Sequence, residues 1–252
     1  MIKQQAVGLS IDNATLHYNG ANSATLNNLS MTIPAGQWTC LLGRSGSGKT
    51  SLLRRLAGLL DSRMEWHGEI SCSDGLDFQH RIAYMAQQDL LLPWLSVENN
   101  VCLSYRFNKK KVTADVRNKA LSLLEKVGLA DARHALPQTL SGGMRQRVAL
   151  ARTLMQDKPL VLMDEPFSAL DAVTRHKLQR LSYELLKDKT VILITHDPQE
   201  AVRLAGRLYI LKGSPAHAES LLLPSSLPPR TLDAESALAQ QHIFLALEQD
   251  NA

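Results

Sequence analysis

No stretch of this 252-residue chain approaches the roughly 20 apolar residues needed to cross a bilayer. Runs such as Leu160 to Met163 and Val191 to Ile194 fall far short of it, so any membrane association is expected to go through a partner. From Met1 to Gly20 there is no apolar segment of the secretory kind, and Lys3, Asp12 and His17 interrupt it, which predicts a cytoplasmic chain. Cysteine is scarce: Cys40, Cys72 and Cys102 lie about thirty residues apart, a spacing that fits neither a metal knuckle nor a redox pair. Buried or idle thiols are the plain reading. Charge of one sign is scarce too, since 28 Lys and Arg against 24 Asp and Glu leave only +4, too little to argue for nucleic acid. The basic run Lys109-Lys110-Lys111 reads as a solvated loop, and no internal repeat is visible. What is present, 44% hydrophobic and 21% charged residues, suffices for an ordinary globular core of one or two domains.

Leu9 to Ile33 reads as short strands broken at Tyr18-Asn19-Gly20, with Leu26, Leu29, Met31 and Ile33 mostly alternating, which predicts an antiparallel β layer. Trp38 to Leu42 is an apolar strand, followed by a Gly-rich turn and a helical pattern over Thr50 to Leu60. Thr113 to Val127 places Val116, Ala120, Leu123, Leu124 and Val127 on one helical face ahead of Gly128, as part of a helical insert. From Ser141 onward the spacing predicts a helix to about Gln156, a strand at Leu160 to Met163 and a helix over Ala172 to Lys187. A strand at Val191 to Thr195, a helix over Gln199 to Ala205 and a strand at Leu208 to Leu211 follow. Strands alternating with helices imply an α/β fold with a mostly parallel sheet. Past Gly213 the text is irregular, punctuated by Pro215, Pro224, Pro228 and Pro229, until an amphipathic segment near Ala234 to Leu247.

Gly43-Arg44-Ser45-Gly46-Ser47-Gly48-Lys49-Thr50 fits G-x-x-x-x-G-K-[ST] and lies between a strand and a helix, where a phosphate loop must lie. Phosphate carries dense negative charge, so its cradle needs inward-pointing amides, which glycines and a helix N-terminus supply. Lys49 is placed to reach the β and γ phosphates, and Thr50 offers a hydroxyl to Mg²⁺. A glycine turn that merely precedes a lysine would show the same letters without the flanking elements. Leu160 to Glu165 is an apolar strand ending in two acids at the carboxyl edge of the sheet. Asp164 would hold Mg²⁺ through its water shell, and Glu165 would take a proton from water attacking the γ-phosphate. An acidic turn after a buried strand is the bland alternative.

Leu140-Ser141-Gly142-Gly143, leading into Met144-Arg145-Gln146-Arg147, lies just before that strand. With it the chain resembles the ATP-binding subunits of ABC transporters over about its first 212 residues. The resemblance implies a P-loop NTPase fold with an antiparallel β layer and a helical subdomain inserted at about 88–150, followed by an extension at 213–252 of unknown role. It implies that Ser141, Gly142 and Gly143 bind the γ-phosphate of ATP held by a second copy, so that two chains close head to tail around two ATPs. Gln87 matches the glutamine that touches Mg²⁺ and senses the helical subdomain, and His196 the histidine that contacts the γ-phosphate. Ser168-Ala169-Leu170-Asp171 matches the segment that crosses the dimer interface and helps orient catalytic groups, and Tyr18, 25 positions before Gly43, the aromatic that stacks on adenine. Read alone, Gln87 is a loop residue, Asp171 a polar turn, His196 a hydrogen-bonded strand end and Tyr18 a packed strand tyrosine.

Met144 departs from the glutamine that many members carry there. Together with Leu91-Leu92-Pro93-Trp94-Leu95-Ser96-Val97, followed by Asn99 to Val101, it resembles importer ATPases for nitrate, taurine, alkanesulfonates and thiamine-precursor pyrimidines. The resemblance implies an ATP- and Mg²⁺-dependent importer subunit on the cytoplasmic face of the membrane. Pro93-Trp94 would meet an integral membrane permease, and a periplasmic binding protein would take part indirectly. A plain core loop is the alternative for Pro93-Trp94. The competing function is a soluble ABC ATPase of an assembly machine, such as iron-sulfur cluster assembly; a P-loop kinase with its own acceptor is disfavoured by the signature segment.

Overall fold

The computed structural model describes residues 5–59, 63–107 and 111–250. Met1 and Lys3, Leu60 of the expected first helix, and Lys109 and Lys110 of the basic run lie outside the described residues. In chain order the strands are β1 Leu9–Tyr18, β2 Leu26–Ile33, β3 Trp38–Gly43, β4 Met64–Cys72, β5 Ile82–Met85, β6 Leu160–Asp164, β7 Thr190–Ile194, β8 Arg207–Lys212 and β9 His217–Leu221. The helices are α1 Lys49–Leu56, α2 Val97–Val101, α3 Leu103–Phe107, α4 Ala114–Lys126, α5 Gly142–Met155, α6 Ala172–Leu185, α7 Pro198–Leu204 and α8 Ala234–Gln249. Two compact units result, one of Met1–Ile82, Pro159–Asp164 and Leu186–Ala252, the other of Ala83–Lys158 and Glu165–Leu185.

In the first unit β3, β6 and β7 are apolar without alternation, because both faces of a parallel sheet are covered. Within the sheet order β5-β6-β7-β3-β8-β9, the β6-β7-β3-β8 pairings are parallel, and β9 closes the edge antiparallel to β8. Helix α1 packs on β3 and β6, and α7 on β3. A second, antiparallel sheet runs β2-β1-β4. It is joined to the first at β9, where Ala216 exchanges backbone hydrogen bonds with Thr25 and Asn27, and at Tyr209, whose hydroxyl accepts from the Thr32 amide and donates to its carbonyl.

In the second unit α2, α3 and α4 pack against α5, and α2 against α4. Helix α4 starts at its Thr113 cap, which accepts from the Val116 amide, and buries Ala120, Leu123 and Leu124. The expected insert at about 88–150 lies inside this unit.

The structure departs from the sequence pattern at both polar edges. β4 is half-exposed along its length and β9 reads His-Ala-Glu-Ser-Leu, so neither carries an apolar signal; the segment past Gly213 is therefore less irregular than expected. Helix α1 ends at Leu56 instead of Leu60, with Ala57 and Gly58 closing its last turn. The thiols of Cys40 and Cys102 are buried, and burial pushes both up, so they stay protonated and inert.

The 213–252 segment clusters with the first unit. Arg230 is 8% exposed, and its guanidinium donates to the carbonyls of Val202 and Ala205, at the negative end of α7, and to that of Pro224. Asp233 then caps α8, accepting from the Ser236 amide at 2.8 Å. Elsewhere in the unit Arg81 donates twice to Asp74, at 3.1 and 2.6 Å. The Arg81 hydrogen bonds hold the Asp74 carboxyl, and the Ser236 amide and hydroxyl the Asp233 carboxyl, below their ordinary value of 3.8. A carboxyl that titrates lower when folded stabilises the fold above its unfolded pKa, and that contribution is lost as pH falls through the folded value. The thermal midpoint should therefore fall below about pH 4, and less steeply in an Asp74→Ala/Asp233→Ala variant. Identical profiles from pH 6 to 2 would discount both carboxylates.

Candidate functional site

The parallel register of the first unit sets several candidate residues at one sheet edge. Leu41 pairs with Ile194, and Asp164 pairs with the same Ile194, so the carboxyl ends of β3, β6 and β7 are level. Gly43-to-Thr50 leaves β3, Asp164 ends β6, and His196 lies two residues past β7. This is the edge at which open α/β sheets bind ligands.

Local chemistry explains the loop. Gly43 has φ +149°, and a Cβ there would lie 2.8 Å from the Leu211 carbonyl oxygen and 2.9 Å from Ser47 Oγ. Gly48, the N-cap of α1 at φ +92°, would push a Cβ to 2.8 Å from both Leu26 and Thr25. Only glycine fits either position. Because Gly48 has no side chain, no side-chain cap covers the first amides of α1, and no acidic residue occupies its first turn. The helix start thus presents amide donors and a positive dipole end. Lys49 is largely buried, and its ammonium donates to the Gly43 and Arg44 carbonyls at 2.8 and 2.6 Å and to Ser47 Oγ at 3.4 Å. Arg44, Ser45 and Gly46 are exposed along the loop, and Thr50 follows half-buried in α1.

Asp164 is 2% exposed, while His196 is exposed. Tyr18, at the end of β1, is half-buried, and its hydroxyl shares a 2.6 Å hydrogen bond with Ser51 Oγ, which fixes the ring's position relative to α1.

The second unit holds the other candidates. Glu165 has φ +47°, a left-handed conformation that a side chain of this size seldom adopts. It is kept there by the Ser168 amide and hydroxyl, which both donate to its carbonyl. Strain of this kind collects at working sites. Gln87 Nε2 donates to Glu165 Oε2 at 3.2 Å, across 78 residues of sequence. Ser141 caps α5 by accepting from the Met144 amide, so exposed Gly142 and half-buried Gly143 open the first turn of that helix. Asp171 accepts from the Thr174 amide at 3.0 Å, and hydrogen bonds from Thr174 lower its carboxyl pKa.

The sequence placed Arg145 and Asn100 inside quoted motifs without giving either a partner, and it passed over Arg152 altogether. Arg145 and Arg152, both on α5, reach back to the segment after Gln87: Arg145 bonds the Asp89 carboxylate at 3.0 Å, and Arg152 donates to the Asp89 and Leu90 carbonyls at 2.6 and 2.7 Å. Burial lowers the Arg152 pKa, though not enough to discharge a guanidinium. The third, Asn100, is fully buried; its amide nitrogen donates to the Leu92, Leu95 and Ser96 carbonyls, and its oxygen accepts from the Leu92 amide. The staple fixes the backbone on both sides of Trp94, which is 71% exposed. Arginines at helical spacing and an Asn after a Ser cap were the available signals, but neither names its partner.

A glycine-lined loop between strand and helix, level with a buried strand-end Asp in a parallel sheet, is the architecture of a P-loop NTPase. The family described as ABC transporter matches residues 26–168. An uncharacterized ABC transporter ATP-binding protein of Haemophilus influenzae is 46% identical over 226 residues, 88% of this chain and 90% of that one. The aliphatic sulfonates import ATP-binding protein SsuB 1 of Xanthomonas axonopodis pv. citri is 38% identical over 95% of this chain and 98% of its own. Among solved structures, the dimeric post-hydrolysis state of the ATP-binding cassette MJ0796 bound to ADP and Pi superposes with a TM-score of 0.74. It is 29% identical and covers 86% of this chain and 100% of that one. The chain belongs to the ABC transporter ATP-binding family and is an ATPase. No helix among the described residues is long and apolar enough to cross a membrane.

Proposed function

We propose that this chain is the ATP-hydrolysing subunit of an importer for small organic anions of the sulfonate type, working from the cytoplasmic face of the membrane through a separate permease. The observation that carries the transport half is the Asn100 staple, which spends a buried amide on presenting Trp94 to solvent. A large aromatic exposed on a hydrogen-bonded segment is suited to anchoring a partner. The names of several relatives, given for aliphatic sulfonate import, support the cargo class over a pyrimidine. Cargo itself would be met by the permease and a periplasmic binding protein, and no nucleic acid takes part.

In this reading residues 1–212 are the ATP-binding domain, with 88–150 its helical subdomain and 213–252 an extension. Tyr18 stacks on adenine, and Gly43, Arg44, Ser45, Gly46, Ser47, Gly48 and Lys49 wrap the phosphates. Thr50, Asp164 and Gln87 offer a hydroxyl, a carboxylate and an amide oxygen, the hard donor set that suits Mg²⁺. Bound there, Mg²⁺ would neutralise charge on the β and γ phosphates. Glu165 accepts a proton from the attacking water, with Gln87 holding its carboxylate, and His196 donates to the γ-phosphate. Ser141, Gly142 and Gly143 of a second copy bind the γ-phosphate from the opposite side, and Asp171 orients groups across that dimer. ATP binding closes the pair, hydrolysis reopens it, and Trp94 passes the motion on.

Affinity isolation of the tagged chain with ATP, from detergent-solubilised membranes of its own cells, tests the proposal. A polytopic permease should be recovered, and Trp94→Ala should reduce its yield at least tenfold, as expected for an aromatic hot spot. Recovery of soluble proteins alone would overturn the importer reading in favour of an assembly-type ATPase.

A further inference from the structure

The far end of the chain returns to the phosphate loop. Arg44 Nη1 donates to the backbone carbonyl of Asp250, the C-cap of α8, at 2.6 Å. The Asp250 carboxylate accepts from the Gly213 amide, also at 2.6 Å. Arg44 is thus bound at two points, because its own carbonyl accepts from the Lys49 ammonium at 2.6 Å. A guanidinium at the last carbonyls of a helix meets the negative end of the helix dipole. The base of the extension is fixed independently, by buried Arg230 against α7 and by the Asp233 cap, and α8 packs along α7. Gly213 follows β8, whose Leu211 pairs with Gly43, so the amide holding Asp250 comes two residues after the rung from which the loop departs.

We infer that α8 is a positioning element for the phosphate loop: Asp250, anchored on Gly213, holds Arg44, and Arg44 sets the carbonyl on which the Lys49 ammonium rests. The inference rests on the reading of Gly43-to-Thr50 as the nucleotide cradle. Both ends of the tether are exposed, and exposed polar contacts add little to global stability. The effect therefore belongs in nucleotide binding and not in the melting temperature.

Full-length Asp250→Ala, Asp250→Asn and Lys49→Ala are compared with the wild type for ATP KM and kcat, fluorescent-nucleotide affinity, thermal midpoint and amide exchange across 43–49. Asp250→Ala should raise the KM for ATP about three- to fivefold, the worth of one hydrogen bond, with kcat within about twofold. Amide exchange in 43–49 should quicken while the thermal midpoint stays put. Asp250→Asn keeps a side-chain oxygen for the Gly213 amide and should resemble the wild type. Loss of the carboxylate's charge alone would do the opposite, since it favours anion binding and would lower KM in both variants. A lowered KM in both, an unchanged KM in Asp250→Ala, or an equal rise in Asp250→Asn overturns the tether. If Lys49→Ala keeps full nucleotide affinity, the cradle reading fails; if it loses affinity while Asp250→Ala is silent, only the tether fails.

Discussion

Replacing Glu165 by Gln should slow ATP turnover by about 10²- to 10⁴-fold, the usual worth of a general base, while leaving nucleotide binding in place. The substitution is close to isosteric, so the lost property is basicity. A glutamine oxygen can still accept the hydrogen bond that Gln87 Nε2 gives Glu165 Oε2 at 3.2 Å, and the backbone contacts of Ser168 to the Glu165 carbonyl do not involve the side chain. The φ +47° turn should therefore persist, and a proton acceptor should vanish from an otherwise intact site. Stalled after binding and before hydrolysis, the variant should accumulate as an ATP-dependent dimer. Phosphate release and size-exclusion chromatography with and without ATP measure the two effects. Turnover like that of the wild type would remove Glu165 from the role of base. Slow turnover without an ATP-dependent dimer would leave the chemistry standing and discard the head-to-tail sandwich.

Elements were legible in the sequence where burial dictates composition. β3, β6 and β7 are covered on both faces and so read as unbroken apolar runs, and the glycine loop between β3 and α1 declares itself by its letters. Helix α4 was legible through the one-faced spacing of Val116 to Val127 and the stop at Gly128. β4 and β9 were not, since edge strands bury one face at most and their residues alternate too weakly to stand out from loops. Recognition of the candidate site followed a different logic. A strand-end pattern named Glu165, and the family resemblance named Gln87 and the Ser141 helix start, but no local pattern states that Gln87 donates to Glu165. The arginines of α5 show the limit clearly: Arg145 is 56 residues from Asp89 in sequence and Arg152 is 63, and only folding supplies the partner. The Arg44 to Asp250 bond, spanning 206 residues, is the extreme case. Periodicity reports the burial of a position, whereas these contacts depend on which distant loop or helix end the fold brings alongside.

Replacing Lys49 by Ala should weaken ATP binding by roughly 10- to 100-fold, the loss of charge-assisted hydrogen bonds worth about 1.5–3 kcal/mol. The folded protein also feels the change. The ammonium satisfies the Gly43 and Arg44 carbonyls at 2.8 and 2.6 Å, and an alanine leaves both without that donor at a largely buried position. Arg44 is exposed and Gly43 half-buried at the end of β3, so water can reach the vacated donor position and the thermal midpoint should drop far less than the affinity does. Isothermal titration with ATP and a parallel melt separate the two effects. Lys49→Arg sharpens the argument, because it restores the charge with a longer, planar head that the crowded loop has no room to fold back. Partial recovery of affinity by Lys49→Arg would assign the loss to charge alone. Failure to recover would show that the cradle demands the compact ammonium, whose reach is set by the carbonyls of Gly43 and Arg44. Affinity unchanged in Lys49→Ala would remove the loop from nucleotide binding and leave its glycine geometry without a function.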